Sequence, residues 1–324
     1  MAKKYKFSLC IHGGAGVIEK ENLSSSDKDL ILKDLDASLE AGEKVLAEGG
    51  TAIDAVCAAV VVLENSRHFN AGKGAVFSRN GKHLLEASIM DGSNLKAGAL
   101  ANCSRIKNPI SFAKTLMDRD DIIMISGKHA DDLAAEHGHE LVENSWFDTA
   151  FREEQWKQAK ALKTDETFLD HSNFKKGTVG AVAMDSSGNL AAATSTGGMT
   201  NKMEGRIGDS AIIGSGTYAQ NKTCAVSCTG IGEFFMRATV ASYVSNLMEF
   251  GSFSLQKAAE MAIHEHHGKL GGDGGLVAVD SEGNISMTYN SAGMYRGYVN
   301  SSERKIYVWN EEEKFEFHPS SVKI

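Results

Sequence analysis

The strongest constraint on the fold of this 324-residue chain is an internal echo: GAVAMDSSGNLAAATSTGG at 180–198 returns as GLVAVDSEGNISMTYNSAG at 275–293, an offset of 95 residues. Each copy reads as two apolar strands joined by an Asp-Ser-x-Gly-Asn turn, the signature of a hairpin. Strands with so few polar positions have no face to give to water, so both hairpins belong in sheets covered on both sides. Between the copies, Phe234, Phe235, Ala238, Val240, Ala241, Val244 and Leu247 recur at helical spacing over residues 231–250, and a second helix is expected over 255–264. Strands, two helices, then strands again imply a layered sandwich with helices outside the sheets.

The first half fits that plan. Residues 5–11 alternate as a strand, and HGGAG at 12–16 reads as a glycine turn. Leu30, Leu32, Leu35, Leu39, Val45 and Leu46 then predict a helix that Gly49-Gly50 ends. Thr51 with Asp54 predicts the cap of a second helix, whose residues 55–63 are apolar on nearly every side and therefore core. Glycine turns and short strands follow over 70–92, with helices at 111–119 and 127–137 around a strand at 122–126.

Composition removes several classes of function. A net charge of −8 with pI near 5.8 excludes the basic face that nucleic acid or an anionic membrane requires. The apolar run at 55–63 is far shorter than the roughly 18 residues of a membrane span. The start, broken by His12, lacks the apolar region of a signal peptide. Cys10, Cys57, Cys103, Cys224 and Cys228 are odd in number and form no CxxC pair, so reduced thiols in a cytoplasmic protein are expected. Cys224 and Cys228, four apart on a strand, should share one buried face. His264-Glu-His-His267 is not HExxH and reads as a polar helix end, and GGDGG at 271–275 lacks the Lys-Ser/Thr of a phosphate loop and reads as a turn.

The chemistry concentrates after a change in composition. Residues 151–177 hold 11 charged residues in 27 and read as an exposed tether, or alternatively as a solvated helix around Trp156. The tether runs into Gly177-Thr178 at the start of an apolar strand. If that bond breaks, Thr178 gains a free α-amine beside its own hydroxyl, so one residue supplies both nucleophile and base. Thr196, at the end of the paired strand, can orient the Thr178 proton, and Thr229-Gly230-Ile231-Gly232-Glu233 before a helix can present N–H groups to an oxyanion. Each feature also has a structural explanation: a β-branched strand start, a cross-strand pair, a helix N-terminus. Arg206 and Asp209 could equally be a surface ion pair.

Taken together, HGGAG (12–16), FNAGKGAVF (69–77), EASIMDG (86–92), GTVGAVAMD (177–185), TSTGGMTNKMEGRIGDS (194–210), TGIGE (229–233), GLVAVDSEGN and GMYR resemble the plant-type asparaginase and isoaspartyl peptidase family of N-terminal-nucleophile hydrolases, over nearly the whole chain. The resemblance implies an α+β, four-layer αββα sandwich, made as a single-domain precursor that cuts itself into an α-subunit (1–177) and a β-subunit (178–324) and assembles as an (αβ)2 homodimer. It implies that the Thr178 hydroxyl attacks the Gly177 carbonyl, with Asn70 assisting, and that water then frees the amine. A glycine at 177 lets that carbonyl be approached and strained. The substrates implied are the side-chain amide of asparagine and the β-peptide bond of isoaspartyl dipeptides. Thr229 and the Gly230 amide would hold the oxyanion, and Thr196 would support Thr178. Arg206 suits the α-carboxylate as a planar fork, Asp209 the α-ammonium, with the Gly232 carbonyl alongside.

No organic cofactor is implied. A sodium ion is, held by the backbone carbonyls of Leu63, Glu64, Ser66, Phe69, Ala71 and Lys73. The Asn65-Ser-Arg-His68 segment departs from the family pattern in lacking acidic residues and proline, and Glu86 stands where aspartate is more usual. Two other functions remain open at this stage: a glycosylasparaginase-type amidase, whose segments usually begin Asp-Thr and carry Thr-Asn-Gly, and an uncleaved, non-catalytic homologue.

Overall fold

The computed structural model describes residues 6–16, 18, 24–161 and 177–313. Strand β1 (Ser8–Gly16) opens the chain, followed by helices α1 (Ser25–Ala47) and α2 (Ala52–Asn65). Ser24 caps α1 by accepting from the Asp27 amide, and Thr51 caps α2 by accepting from the Asp54 amide at 3.2 Å, the second as the sequence predicts. Next come β2 (Leu85–Asp91), β3 (Ala97–Cys103), α3 (Pro109–Met117), β4 (Met124–Ser126), α4 (Lys128–Glu136) and α5 (Ala150–Ala161). After Thr178 follow β5 (Val179–Met184), β6 (Leu190–Thr196), β7 (Thr217–Ala219), β8 (Cys224–Gly230), α6 (Gly232–Ala238), α7 (Val240–Gly251), α8 (Leu255–Glu260), β9 (Gly274–Asp280), β10 (Ile285–Tyr289), β11 (Gly293–Asn300) and β12 (Arg304–Tyr307).

The strands make one sheet of eight, in the order β12-β11-β1-β5-β6-β2-β3-β4, and one of four, β10-β9-β8-β7. Because side chains alternate along a strand, each sheet feeds two different cores. Leu9 and Ile11 of β1 and Ala181 and Ala183 of β5 pack against α1 and α2. Their neighbours Cys10, Val182 and Met184 face the other way and meet Ala225, Val277 and Val279 of the small sheet. Cys224, Val226 and Cys228 of β8 cover α7 and α8, which places both cysteines on one buried face as expected. The layers are therefore helix, sheet, sheet, helix. Both predicted hairpins form: Asp185 Oδ1 accepts from the amides of Ser187 and Asn189, and Asp280 Oδ1 accepts from those of Glu282 and Asn284.

Four local expectations are corrected. HGGAG is not a turn; β1 continues through Gly16, with a register shift between His12 and Gly14 that absorbs one residue as a bulge. The helix expected over 231–250 is two, broken at Thr239, whose φ of +45° no α-helix accommodates. The helix after Ser254 does not stop at 264 but runs on as a π-helical stretch, Met261–His267. The expected tether over 151–177 is helical over its first residues: α5 carries buried Arg152, Gln155 and Ala159, and Arg152 Nε donates to the Gly74 carbonyl at 2.7 Å. The alternative reading, a helix around Trp156, holds for these residues, but the helix is packed and not merely solvated: its inner face is made of Arg152, Gln155 and Ala159, two of them polar side chains buried along their stems. The rest of the tether, 162–176, lies outside the described residues. Among the described residues no helix is long and apolar enough to cross a membrane, and no group of His, Cys, Asp or Glu side chains could hold a metal ion.

Candidate active site

Thr178 stands one residue before β5, and the pairing of Val179 with Ser195 brings it opposite Thr196, the last residue of β6. Its side chain is buried, and its Oγ donates to Thr196 Oγ at 3.1 Å. Thr196 Oγ also accepts from the Gly198 amide at 2.9 Å, which fixes its lone pairs and leaves its own proton free to turn. Thr229, at the end of β8 in the other sheet, accepts from the Ala15 amide at 3.2 Å. A Cβ on Gly177 would lie 2.8 Å from Thr229 Oγ, so this hydroxyl abuts the residue whose carbonyl precedes Thr178. Gly230 has φ +152° and pairs with Gly274, and a Cβ there would meet the Asp273 carbonyl at 2.5 Å. Only glycine fits that position.

The β1 bulge brings its backbone onto the same point. Gly14 has φ +111°, and a Cβ on it would fall 2.5–2.7 Å from the N, Cα and carbonyl carbon of Gly177. The glycines at 12–16 thus let two backbones touch at the bond before Thr178. Asn70 meets the turn that carries Thr196: its Nδ2 donates to the Gly198 carbonyl at 2.6 Å, its Oδ1 accepts from the Val76 amide, and its carbonyl accepts from the Gly197 amide.

The charged pair lies on the loop after β6. Asp209 is buried, and its Oδ2 has no hydrogen-bond partner. Burial raises its pKa to about 7 against the opposing pull of Arg206. A Cβ on Gly232 would sit 2.8 Å from Asp209 Oδ1 and 3.2 Å from Arg206 Nη2, so the start of α6 closes one side of the pair. Arg206 departs from expectation: its Nε and Nη2 are held by the Glu233 carboxylate, both at 2.9 Å, and this fork-to-fork pairing fixes the guanidinium plane. Loop and nucleophile are joined through Glu86, which pairs with Thr196 across the sheet. One Glu86 oxygen accepts from the Gly208 amide at 2.8 Å and the other from Lys202 Nζ at 3.0 Å, in an ion pair with no solvent exposure.

The loop of the expected sodium ligands, Leu63, Glu64, Ser66, Phe69, Ala71 and Lys73, curls around Gly72, at φ +47°, and Gly74. A Cβ on Gly72 would collide with the Glu64 carbonyl and one on Gly74 with the Phe69 carbonyl, so carbonyl oxygens face the inside of the loop. The divergent Asn65-Ser-Arg-His68 segment is held by Asp34 of α1, whose Oδ2 accepts from Ser66 Oγ at 2.5 Å and lies 2.6 Å from His68 Nδ1.

Sequence reasoning missed three functional side chains. Glu64, expected only for its carbonyl, accepts with its carboxylate from Ser195 Oγ, the Ile110 amide and Asn108, and burial raises its pKa to about 7. Glu233 had no assigned partner. His12 was noticed only as a break in an apolar run. Its Nδ1 lies 3.0 Å from the Thr178 carbonyl and its Nε2 2.9 Å from Ser227 Oγ. The usable signal was its even spacing from Cys10, which aims it between the sheets.

A two-sheet α+β sandwich with a threonine at a strand start and a second hydroxyl opposite it is consistent with the fold of the N-terminal-nucleophile amidohydrolases. The sequence profile of the family described as asparaginase matches residues 5–308. The chain is 46% identical over 299 residues to an isoaspartyl peptidase of Escherichia coli strain K12, covering 90% of this chain and 92% of that one. It is 44% identical to a putative isoaspartyl peptidase/L-asparaginase of Dictyostelium discoideum (91% and 93% covered). With an isoaspartyl peptidase/L-asparaginase of Xenopus laevis it shares 38% identity (94% and 96%). The chain belongs to the asparaginase family.

Proposed function

We propose that this protein hydrolyses β-aspartyl dipeptides and the side-chain amide of L-asparagine, releasing L-aspartate, after cutting its own chain between Gly177 and Thr178. The observation that carries the reading is the convergence of Thr229 Oγ, the Gly14 backbone and the Thr178–Thr196 hydroxyl pair on that one bond. In the precursor the Thr178 hydroxyl adds to the Gly177 carbonyl, the acyl group moves from nitrogen to oxygen, and water cleaves the ester. The freed amine, with an ordinary pKa of about 7.7–8.0, then serves as the base for the same hydroxyl. Attack on the substrate carbonyl gives a β-aspartyl ester on Thr178 and expels ammonia or the amino group of the second residue. Water completes the cycle. Thr229 and the Gly230 amide are suited to the oxyanion. The relatives named isoaspartyl peptidase and the glycine after Thr196-Gly197 favour this reading over a glycosylasparaginase. The experiment is a denaturing mass measurement of purified protein with an L-aspartate assay on β-aspartyl dipeptides. Fragments of 177 and 147 residues (324 − 177) with aspartate release support it; an intact chain that releases none overturns it.

Substrate polarity accounts for the charged loop. Glu233 holds one edge of Arg206 and leaves Nη1 for the α-carboxylate, while the partnerless Asp209 Oδ2 awaits the α-ammonium. Since burial holds the Asp209 pKa near 7, the free protein carries a proton there that the ammonium must expel. Affinity for L-aspartate therefore rises between pH 6 and pH 8. Calorimetry at pH 7 in two buffers of different ionisation enthalpy should show release of about half a proton per ligand, absent in Asp209→Asn. The sign for stability is opposite. A carboxyl whose folded pKa is raised contributes most below its unfolded value, near 4, and that contribution is lost as pH rises through about 7.

A sodium ion on the carbonyls of Leu63, Glu64, Ser66, Phe69, Ala71 and Lys73 is part of the same proposal. Inward-facing carbonyls in a loop turned by Gly72 and Gly74 have the right donor chemistry, each carbonyl keeping a second lone pair after one hydrogen bond. Its place would be structural, holding the segment that carries Asn70.

A further inference from the structure

Five polar side chains form one line through the layer between the sheets. His12, Ser227, Thr194, Thr217 and Ser88 all face into it, each fully buried. They are spaced as a single chain of contacts: Thr178 carbonyl to His12 Nδ1 3.0 Å, His12 Nε2 to Ser227 Oγ 2.9 Å, Ser227 Oγ to Thr194 Oγ 2.7 Å, Thr194 Oγ to Thr217 Oγ 2.6 Å, Thr217 Oγ to Ser88 Oγ 2.8 Å, and Ser88 Oγ to the Ser210 carbonyl 2.6 Å. Gly180 makes room for it, since a Cβ there would collide with both Ser227 Oγ and His12 Nε2. One end holds the backbone of Thr178. The other holds the residue after Asp209.

Both ends are carbonyls, which only accept. Five groups that can each donate one proton stand between them, and six contacts each need one. A neutral chain is therefore one proton short whichever way its members turn. The other acceptors nearby, the Ala193 carbonyl 3.2 Å from Ser227 Oγ and the Gly216 carbonyl 3.2 Å from Thr194 Oγ, can only draw protons out of it. A sixth proton on His12 would fill every contact but would place a cation in a dry layer with no counter-ion, and burial pushes the imidazole pKa down to about 3. One unmade contact costs less than an unpaired buried charge.

We infer that these five residues form a proton-deficient chain linking the backbone of Thr178 to the loop of Asp209, in which His12 is a positioning residue. The missing proton can lie at any of the six contacts, the two ends included. When Ser88 donates to Ser210 and its neighbours turn the same way, the gap moves towards His12, which takes the Nε2–H tautomer and releases the Thr178 carbonyl. When the chain turns back, His12 donates to Thr178 and the Ser210 carbonyl loses its donor. The hold on Thr178 is thus coupled to how the far hydroxyls turn, and each end loses its donor in one of the chain's arrangements. The link to catalysis rests on the proposed role of Thr178; the proton count does not.

The test uses Thr217→Val and Ser227→Ala in the full protein. Removing the Thr217 hydroxyl splits the chain into pieces with four contacts and four protons, so this variant should melt no lower than wild type, against the usual loss for a buried hydroxyl. Ser227→Ala also leaves four contacts and four protons, but it strips His12 Nε2 of its only partner in the chain and leaves a buried ring nitrogen unpaired, so it should melt lower. In 15N spectra of histidine-labelled protein, His12 of wild type should average two tautomers, whereas Thr217→Val should show Nδ1–H alone. In turnover, Ser227→Ala should lower kcat by roughly tenfold with KM for a β-aspartyl dipeptide unchanged, because the charged loop is intact. A melting temperature in Thr217→Val lower by roughly 3 °C or more, or a single His12 tautomer in wild type, overturns the proposal. Neither of those two readouts needs turnover, so an inactive but normally melting protein would count against the proposed function and not against the chain.

Discussion

Thr178→Ala remains one chain of 324 residues in a denaturing mass spectrum, and its release of L-aspartate from β-aspartyl dipeptides falls by about 10^4-fold or more. The size follows from what the substitution removes. Thr178 Oγ is the hydroxyl paired at 3.1 Å with Thr196 and set beside Gly177, and without it the bond before residue 178 has no attacking atom. No amine is then freed, so the base is lost with the nucleophile. Thr178→Ser keeps the hydroxyl without the methyl that restricts its rotamer, and should still cleave and turn over, more slowly. An alanine variant cut between 177 and 178 would show that another group attacks that bond and would end the self-activation reading.

Lys202→Met should cost about 3–5 kcal/mol of stability, the range for removing one partner of a buried ion pair, and lower the melting temperature by roughly 10 °C. Lys202 and Glu86 are wholly buried, and Lys202 Nζ also donates to the Leu84 carbonyl at 2.8 Å. Without the ammonium, the Glu86 carboxylate is left unpaired in the interior, and it is the group that anchors the Gly208 amide. The substrate loop loosens with it, so KM should rise in the protein that remains folded. The double variant Glu86→Gln/Lys202→Met should recover much of the loss, because no buried charge is then uncompensated. A single variant that loses under about 1 kcal/mol would show that the pair does not constrain the loop.

The layers of the fold were legible because they are written in local patterns. The two echoing hairpins, the cap at Thr51 and the apolar run of α2 each announce themselves within a dozen residues. Thr178, Thr196, Thr229 and Asp209 were found through motif resemblance combined with chemistry, and the structure gathers them at strand ends and on one loop. What stayed hidden depends on partners far apart in sequence. Nothing near Arg206 says that Glu233, 27 residues on, will hold its fork. His12 and Ser227 lie 215 residues apart, and a histidine in a glycine motif looks like a turn residue until the second sheet is placed over it. Thr239 and the π-helical stretch at 261–267 were missed because apolar spacing reports which face is buried and not where the helix restarts.

The order of strands in the large sheet bears on the life of the protein after the proposed cleavage. β1, from before Thr178, is hydrogen-bonded on one side to β11 and on the other to β5, both from after it, and β6 is bonded to β2. If the chain is cut as proposed, the small sheet stays within the second piece, but neither piece holds the large sheet alone; there each is a warp through the other's weft. The precursor reaches this arrangement as one connected molecule. A cut protein that unfolds has lost that connection and must find its other half by collision, with every edge strand exposed meanwhile. A mature protein made by the proposed cut would be a shape with a history: scission would turn a reversible fold into one kept chiefly by not being left, with a lifetime set by the rate at which the sheet first opens.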